Sequence, residues 1–415
     1  MRANLIGALI GMFCLVGCGG GGGSVGTTIP TTGSNVQAVT VDSGPAVLAS
    51  SGTPSVNTLY TTVTICVPGT STCQDIDHIQ VDTGSSGLRI ISTVLTLSLP
   101  VKKDSSGNVI AECVHFVDGS SWGPLRQADI KIASETASNL SVHIIGDAAY
   151  QTVPAGCTGT AENSVTAFGA NGILGVGPFI QDCGSGCVQA GGATYYTCTS
   201  TTACTDSGMP LAMQITNPVT AFATDNNGVI IELPAVTSTA ASVSGSLIFG
   251  IGTQGNNGLG SAKVLTLDGA GALTTTYKNQ TLGQSFIDSG SNAYYFPDSS
   301  IKTCPNDNTT RAPGFYCPAT AVNLSGTLTG NGVANGVSSS VNFTVADANG
   351  LFSTNATVAA AATLAAPSTS VSADGSTFNG ADTFDWGLPL YYGRNVYTAI
   401  ENQNTSAGMG PYFAF

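Results

Sequence analysis

The chain has 415 residues, Lys+Arg 11 against Asp+Glu 24, and a formal net charge of −13, with only 8% of its residues charged. Soluble proteins average about 25%, and the scarcity of Leu, Glu and Lys beside 53 glycines argues against a helical bundle or a coiled coil. The acidic balance and the lack of basic runs exclude a surface that tracks phosphates, so no nucleic-acid partner is expected.

In chain order, the first segment stands outside any fold. Arg2 is the only charge before Asp42, and Leu5 to Val16 is a short apolar run. Residues 1–17 therefore read as a secretory signal, too short for a membrane span. The run ends in Leu15-Val16-Gly17-Cys18, which resembles the bacterial lipobox. That resemblance implies cleavage before Cys18, acylation of its thiol and a membrane partner through the lipid. Gly19 resembles outer-membrane sorting, so an exported lipoprotein of a Gram-negative outer membrane is expected. A glycine run and a Ser/Thr/Gly stretch follow, and residues 18–45 read as a flexible tether.

Of 12 cysteines, Cys14 lies in the signal and Cys18 is the lipid site, which leaves an even number in an exported chain and suggests up to five disulfides. Cys66–Cys73 and Cys304–Cys317 close short loops and are the expected pairs. Cys183, Cys187, Cys198 and Cys204 have three possible pairings. A zinc site is the rival reading, but the spacings are loose and no His lies nearby; neither metal nor cofactor is expected.

Strand-like runs recur along the rest: Tyr60–Val67, Ile79–Asp82, Leu88–Leu95, Ile130–Ile132, Val142–Ile145, Val229–Leu233 and Ser246–Phe249. They continue with Val264–Leu267, Ser285–Asp288, Tyr294–Phe296, Val341–Val345 and Val396–Ile400. Gly, Pro, Asn and Asp clusters separate them, as in an all-β sandwich or barrel. The best helical candidates are short, Pro210–Ile215 and Leu388–Arg394. The Ala/Ser/Thr stretch Ala356–Ser370 reads as a surface loop or an edge.

An internal near-repeat is more telling. Gln80-Val-Asp82-Thr83-Gly84-Ser85 is echoed by Phe286-Ile-Asp288-Ser289-Gly290-Ser291. Each is followed downstream by bulky residues and a glycine, Ile173-Leu174-Gly175 and Phe384-Asp385-Trp386-Gly387, the second looser because Asp385 interrupts it. This suggests duplicated lobes, residues 46–240 and 241–415, each with an Asp on a tight turn. Two carboxylates about 3 Å apart share one proton, so one takes a proton from water while the other polarises a carbonyl. Gly84 and Gly290 would let the turns approach without a Cβ. The hydroxyls of Thr83, Ser85, Ser289 and Ser291 would hold the carboxylates.

Asp82-Thr83-Gly84-Ser85-Ser86 with Asp288-Ser289-Gly290-Ser291 resembles the paired signature of pepsin-like aspartic peptidases. Asn171–Gly177, Gly245–Gly250 and Gly387–Tyr397 resemble further family segments, and the likeness covers roughly residues 55–415. The wording of these motifs also resembles a bacterial family of exported, pepsin-like proteins, the DUF3443 group. The resemblance implies an all-β, bilobal, pepsin-like double β-barrel with an active-site cleft between the lobes. It implies Asp82 and Asp288 as catalytic residues acting on a peptide or protein substrate. The alternative is a catalytically silent scaffold that binds peptide or cell-envelope material.

Two departures stand out. Residues 116–123 occupy the place of the family's flap, with Phe116 where a tyrosine is expected and Gly119 and Trp122 beside it; the Trp122 indole N–H is the candidate replacement for the phenol. Arg89 stands where an aromatic residue is usual. Gly119-Ser-Ser121-Trp-Gly123 also fits the serine-hydrolase elbow, but Pro124 follows at once. Gly250-Ile-Gly252-Thr-Gln-Gly255 fits a dinucleotide fingerprint but reads as a turn. His78, His115 and His143 read as structural.

Overall fold

In β2 (Leu59–Cys66) Leu59, Val63 and Ile65 are buried, and in β3 (Cys73–Asp82) Ile76, Ile79 and Val81 are buried. Ile76 and Ile79 are an odd number of positions apart, so strict alternation would turn one of them outward. A bulge at His78 (φ +46°) absorbs the extra residue where pairing with β2 shifts between Thr61 and Val63. The bulge thereby sets the facing of Val81 and of Asp82 at the strand's end.

The computed structural model describes residues 32–415 apart from 306, 308–309, 333–335, 354–356, 369–370, 374–375 and 379. The expected signal (1–17), Cys18 and the tether as far as residue 31 lie outside the described residues, as do the ends of the Ala356–Ser370 stretch. The fold is all-β, with barrel-like sheets and few, short helices: Ala46–Ser51, Val165–Phe168 and Ala348–Ser353. The two helical candidates form only 3₁₀ turns, Leu211–Met213 and Leu388–Leu390.

Fifteen strands make the larger sheet. Its first strand, β1 (Val36–Val41), corrects the expected tether. It pairs antiparallel with Val243–Phe249, Val36 facing Ile248, and with β2, Thr40 facing Tyr60. Val39 and Val41 are buried; the Val-Gln-Ala-Val-Thr-Val run is a β-branched strand within a Ser/Thr/Gly-rich surrounding. β4 (Ser86–Ile91), β5 (Val109–His115), β6 (Ser120–Ile132), β7 (Glu135–Ile145) and β8 (Gly172–Val176) extend the sheet. It also runs across residue 240: Gly228–Leu233 pairs with Val243–Phe249 and with Arg394–Ala399.

A seven-stranded sheet carries the second Asp turn. Phe384 stacks between Phe296 and Trp386, with centroids 4.8 and 3.9 Å away, and the Trp386 indole donates to Thr275 Oγ1 at 2.9 Å. Ala365–Ala366 lies at one end of this sheet, so part of the Ala356–Ser370 stretch is an edge; Val358–Ala361 and Leu364–Ala366 are buried rather than a surface loop. The sequence repeat is a repeat of topology. β8 runs parallel to β3 and antiparallel to β4, while Asp385–Trp386 runs parallel to Gln280–Ile287 and antiparallel to Tyr294–Tyr295.

The cysteines pair as Cys66–Cys73, Cys113–Cys157, Cys183–Cys187, Cys198–Cys204 and Cys304–Cys317. Both expected pairs are present, and the four cysteines offered to zinc are consumed as disulfides. No helix among the described residues is long and apolar enough to cross a membrane.

Because β1 fills the place between β2 and Val243–Phe249, removing it exposes two strand edges and strips Val39 and Val41 from the core. At about 1.5–3 kcal/mol per buried valine, a chain beginning at residue 42 should be less stable than one beginning at residue 32 by at least about 3 kcal/mol. Urea unfolding followed by tryptophan fluorescence measures the difference.

Candidate active site

Asp82 ends β3, and Asp288 follows Gln280–Ile287 directly. Both head the same turn: the Gly84 N–H donates to Asp82 Oδ1 at 2.7 Å, and the Gly290 N–H to Asp288 Oδ1 at 2.7 Å. The next residue completes each cradle. The Ser85 hydroxyl donates to Asp82 Oδ2, and the Ser291 hydroxyl to Asp288 Oδ2 at 2.9 Å.

The turns are then tied to each other. The Thr83 N–H donates to Ser289 Oγ at 3.1 Å, and the Ser289 N–H donates to Thr83 Oγ1 at 2.9 Å. The Ser289 hydroxyl donates onward to Val81 O at 2.8 Å, and Tyr391 OH lies 2.9 Å from Thr83 Oγ1. Glycine is required on both turns: a Cβ on Gly84 would lie 2.8 Å from Asp288 Cγ, and one on Gly290 would lie 2.5 Å from Asp82 Oδ1. All eight expected residues of the pair and its support, Asp82 to Ser85 and Asp288 to Ser291, thus meet at one point.

The electrostatics follow from that crowding. Loss of solvent raises the Asp288 carboxyl well above the usual carboxylate range, and the negative charges of Asp82 and Asp385 raise it further. Asp385 is pushed up to about 8 by burial and by Asp82, against a lowering contribution from Ser291. All three line a pocket of about 940 Å³ with Gln80, Ile173, Phe116 and Tyr295.

Of the expected flap residues, Phe116 lines this pocket, packs edge-on to Phe168 at 5.6 Å, and its N–H closes the hairpin on Gly119 O at 2.8 Å. Gly119 lies against Thr160 and Glu162, with no room for a Cβ. Burial and Asp118 push the neighbouring Glu162 carboxyl up to about 7. Trp122 is a correction. It is buried in β6, its indole donates to Tyr150 O at 2.8 Å and its ring packs on Tyr196, away from the pocket. Pairing places Trp122 opposite Cys113, and that half of the hairpin belongs to the core.

The rival motifs dissolve. Ser121 is buried on a strand and donates to Glu162 O at 3.0 Å, and Gly250–Gly255 is a turn after a strand rather than the start of a helix.

A charged cluster at the pocket's edge is what sequence reasoning missed. Arg89, on β4, donates to Glu112 Oε1 at 2.6 Å, to Asp182 Oδ2 at 3.0 Å and to Ser86 O at 2.9 Å. His143 Nδ1 lies 2.9 Å from Glu112 Oε2, and Tyr195 OH donates to Asp182 Oδ1 at 2.6 Å. Burial works to raise Glu112, but Arg89 and His143 outweigh it and hold that carboxyl below the usual range. Burial raises Asp182, with the Glu112 charge adding to it. The cluster ties the hairpin strand β5 to β4, next to the first Asp turn. The available signal was an Arg inside Leu88-Arg89-Ile90-Ile91 and a Glu inside Ile110-Ala-Glu112-Cys: charges amid apolar strands that demand partners.

The family described as "Protein of unknown function (DUF3443)" matches residues 31–415, and the chain belongs to that family. No curated protein matches it.

Arg89→Met should lower stability by about 3–5 kcal/mol, because it leaves buried acids without their cation. Adding Glu112→Gln should recover part of the loss. Denaturant midpoints of the single and double variants test this.

Proposed function

We propose that this DUF3443 protein is a pepsin-like aspartic endopeptidase, with two β lobes, the first including β1, and Asp82 and Asp288 at the base of the cleft between them. The observation that carries the reading is the reciprocal hydrogen bonding of Thr83 and Ser289, which holds two carboxylates in one pocket. In this mechanism the pair shares one proton. The ionised carboxylate removes a proton from water, the hydroxide oxygen adds to the peptide carbonyl carbon, and the protonated carboxyl gives its proton to the carbonyl oxygen. The tetrahedral species collapses as a proton passes to the amide nitrogen, which leaves as the amine. No covalent intermediate with the protein forms. Phe116 covers the pocket with an apolar ring in place of a phenol.

The sign of the pH dependence follows. The raised affinity of Asp288 for its proton keeps the pair singly protonated where isolated carboxylates are already ionised. Rate falls at low pH when a second proton removes the base, and at high pH when the shared proton leaves and removes the acid. Peptide cleavage should show this bell, should be blocked by pepstatin, and should fall at least about 10²-fold in Asp82→Asn or Asp288→Asn. Pepstatin binding without cleavage would leave the catalytically silent scaffold.

We propose further that the protein is an exported lipoprotein acylated at Cys18 and held at a membrane, the outer membrane of a Gram-negative cell. The Leu15–Cys18 motif supports this, and five disulfides call for an oxidising compartment. Incorporation of an alkyne fatty acid should occur in the full chain and vanish in Cys18→Ala.

A further inference from the structure

The two half-motifs differ in the pocket wall, and one difference sets an apolar side chain against a carboxyl. On β8, Ile173 pairs with Gln80, and in the second half Asp385 pairs with Phe286. Both sit one step before the residue that pairs with the penultimate position of the Asp strand, Leu174 with Val81 and Trp386 with Ile287. Ile173 and Asp385 are therefore equivalent, and both line the pocket. Strand alternation explains their facing: Phe384 and Trp386 are buried in the aromatic core, so Asp385 between them projects from the opposite face. Leu174 is likewise in the core beside Ile173.

Asp385 is 7% exposed, and its Oδ1 has no hydrogen-bond partner among the described residues. The Ser291 hydroxyl beside it has a single O–H, which goes to Asp288 Oδ2. The titratable groups that act on it or feel it are Asp82, Asp288, Tyr295 and Tyr391, all acids; no cation is among them. A buried carboxyl so placed costs stability, and among the described residues only the Ser291 hydroxyl eases it. The equivalent wall position in the other half is purely apolar.

We propose that Asp385 forms a subsite for the ammonium or guanidinium of a Lys or Arg side chain of the peptide, while Ile173 receives an apolar side chain on the other side of the scissile bond. The proposal rests on the aspartic-peptidase reading. The Thr83–Ser289 exchange relates the two turns by an approximate twofold axis. A bond attacked between Asp82 and Asp288 lies on that axis, so positions related by it flank the bond from opposite sides. In the free protein Asp385, pushed up to about 8, carries its proton at acidic and neutral pH. Arrival of a fixed cation ionises it, and the proton goes to solvent.

The test titrates the full chain by calorimetry with peptides whose scissile amide is replaced by a hydroxyethylene group. They are made in pairs differing only by lysine or norleucine next to that group, on either side in turn. On one side only, lysine should bind about 10–100-fold tighter than norleucine, with proton release visible as a dependence on buffer ionisation enthalpy. Asp385→Asn should abolish the preference and the proton release while the melting temperature holds or rises, and Asp385→Ile should favour norleucine. Equal affinities in the wild type, including no binding of either peptide, overturn the subsite, as does a lysine preference that survives in Asp385→Asn. Cleavage of a peptide library is measured in parallel. Cleavage without lysine preference sinks the subsite and spares the peptidase; lysine-selective binding without cleavage does the reverse.

Discussion

Two backbone turns exchange N–H donors with each other's hydroxyls, and the rest of the molecule is arranged so that they can. The exchange brings Asp82 and Asp288 to one point, and it leaves no space for a Cβ on Gly84 or Gly290. The strand behind each turn is constrained in the same way. A Cβ on Gly175 would lie 2.7 Å from the Ser85 and Ser86 backbone, and one on Gly387 would lie 2.2 Å from Ala293 O. The glycines at matching distances downstream of each Asp are thus part of one packing problem, solved twice. The bulge at His78 belongs to it as well, since it decides which way the end of β3 faces.

Charge is scarce in this chain, and much of what is buried lies around the pocket. On the first half's side, Arg89 pairs with Glu112 and Asp182, and His143 closes the far side of Glu112. On the second half's side, no cation among the described residues pairs with Asp288 or Asp385, and Tyr295 lies opposite Asp385 in the strand pair, where Arg89 lies opposite Ile173. One wall carries a buried cation among its acids and the other, among the described residues, does not. That asymmetry within a repeated topology is the main difference between the two halves of the pocket.

The Asp turns and their supporting hydroxyls were legible because everything each turn needs lies within four consecutive residues. The repeat doubled the signal. Cys66–Cys73 and Cys304–Cys317 were legible for the same local reason. The Arg89 cluster was not, because its members, at 89, 112, 143, 182 and 195, come from separate strands and one loop whose meeting depends on sheet order. Trp122 was assigned to the flap on proximity to Phe116 in sequence, yet strand register sends it into the core opposite Cys113. β1 was hidden by composition: Ser, Thr and Gly around it masked the six-residue run Val-Gln-Ala-Val-Thr-Val.

The pairing of Val36 with Ile248 also governs the order of events in the cell. Synthesis delivers β1 long before its neighbour Val243–Phe249, so the sheet cannot close while the chain is being made until the whole first half and the opening strand of the second have appeared. Long-range pairing of this kind is slow to form. β1 can pair with β2 as soon as both exist, but its other edge waits for that distant partner. Until then that edge stands open, the state most exposed to wrong pairing.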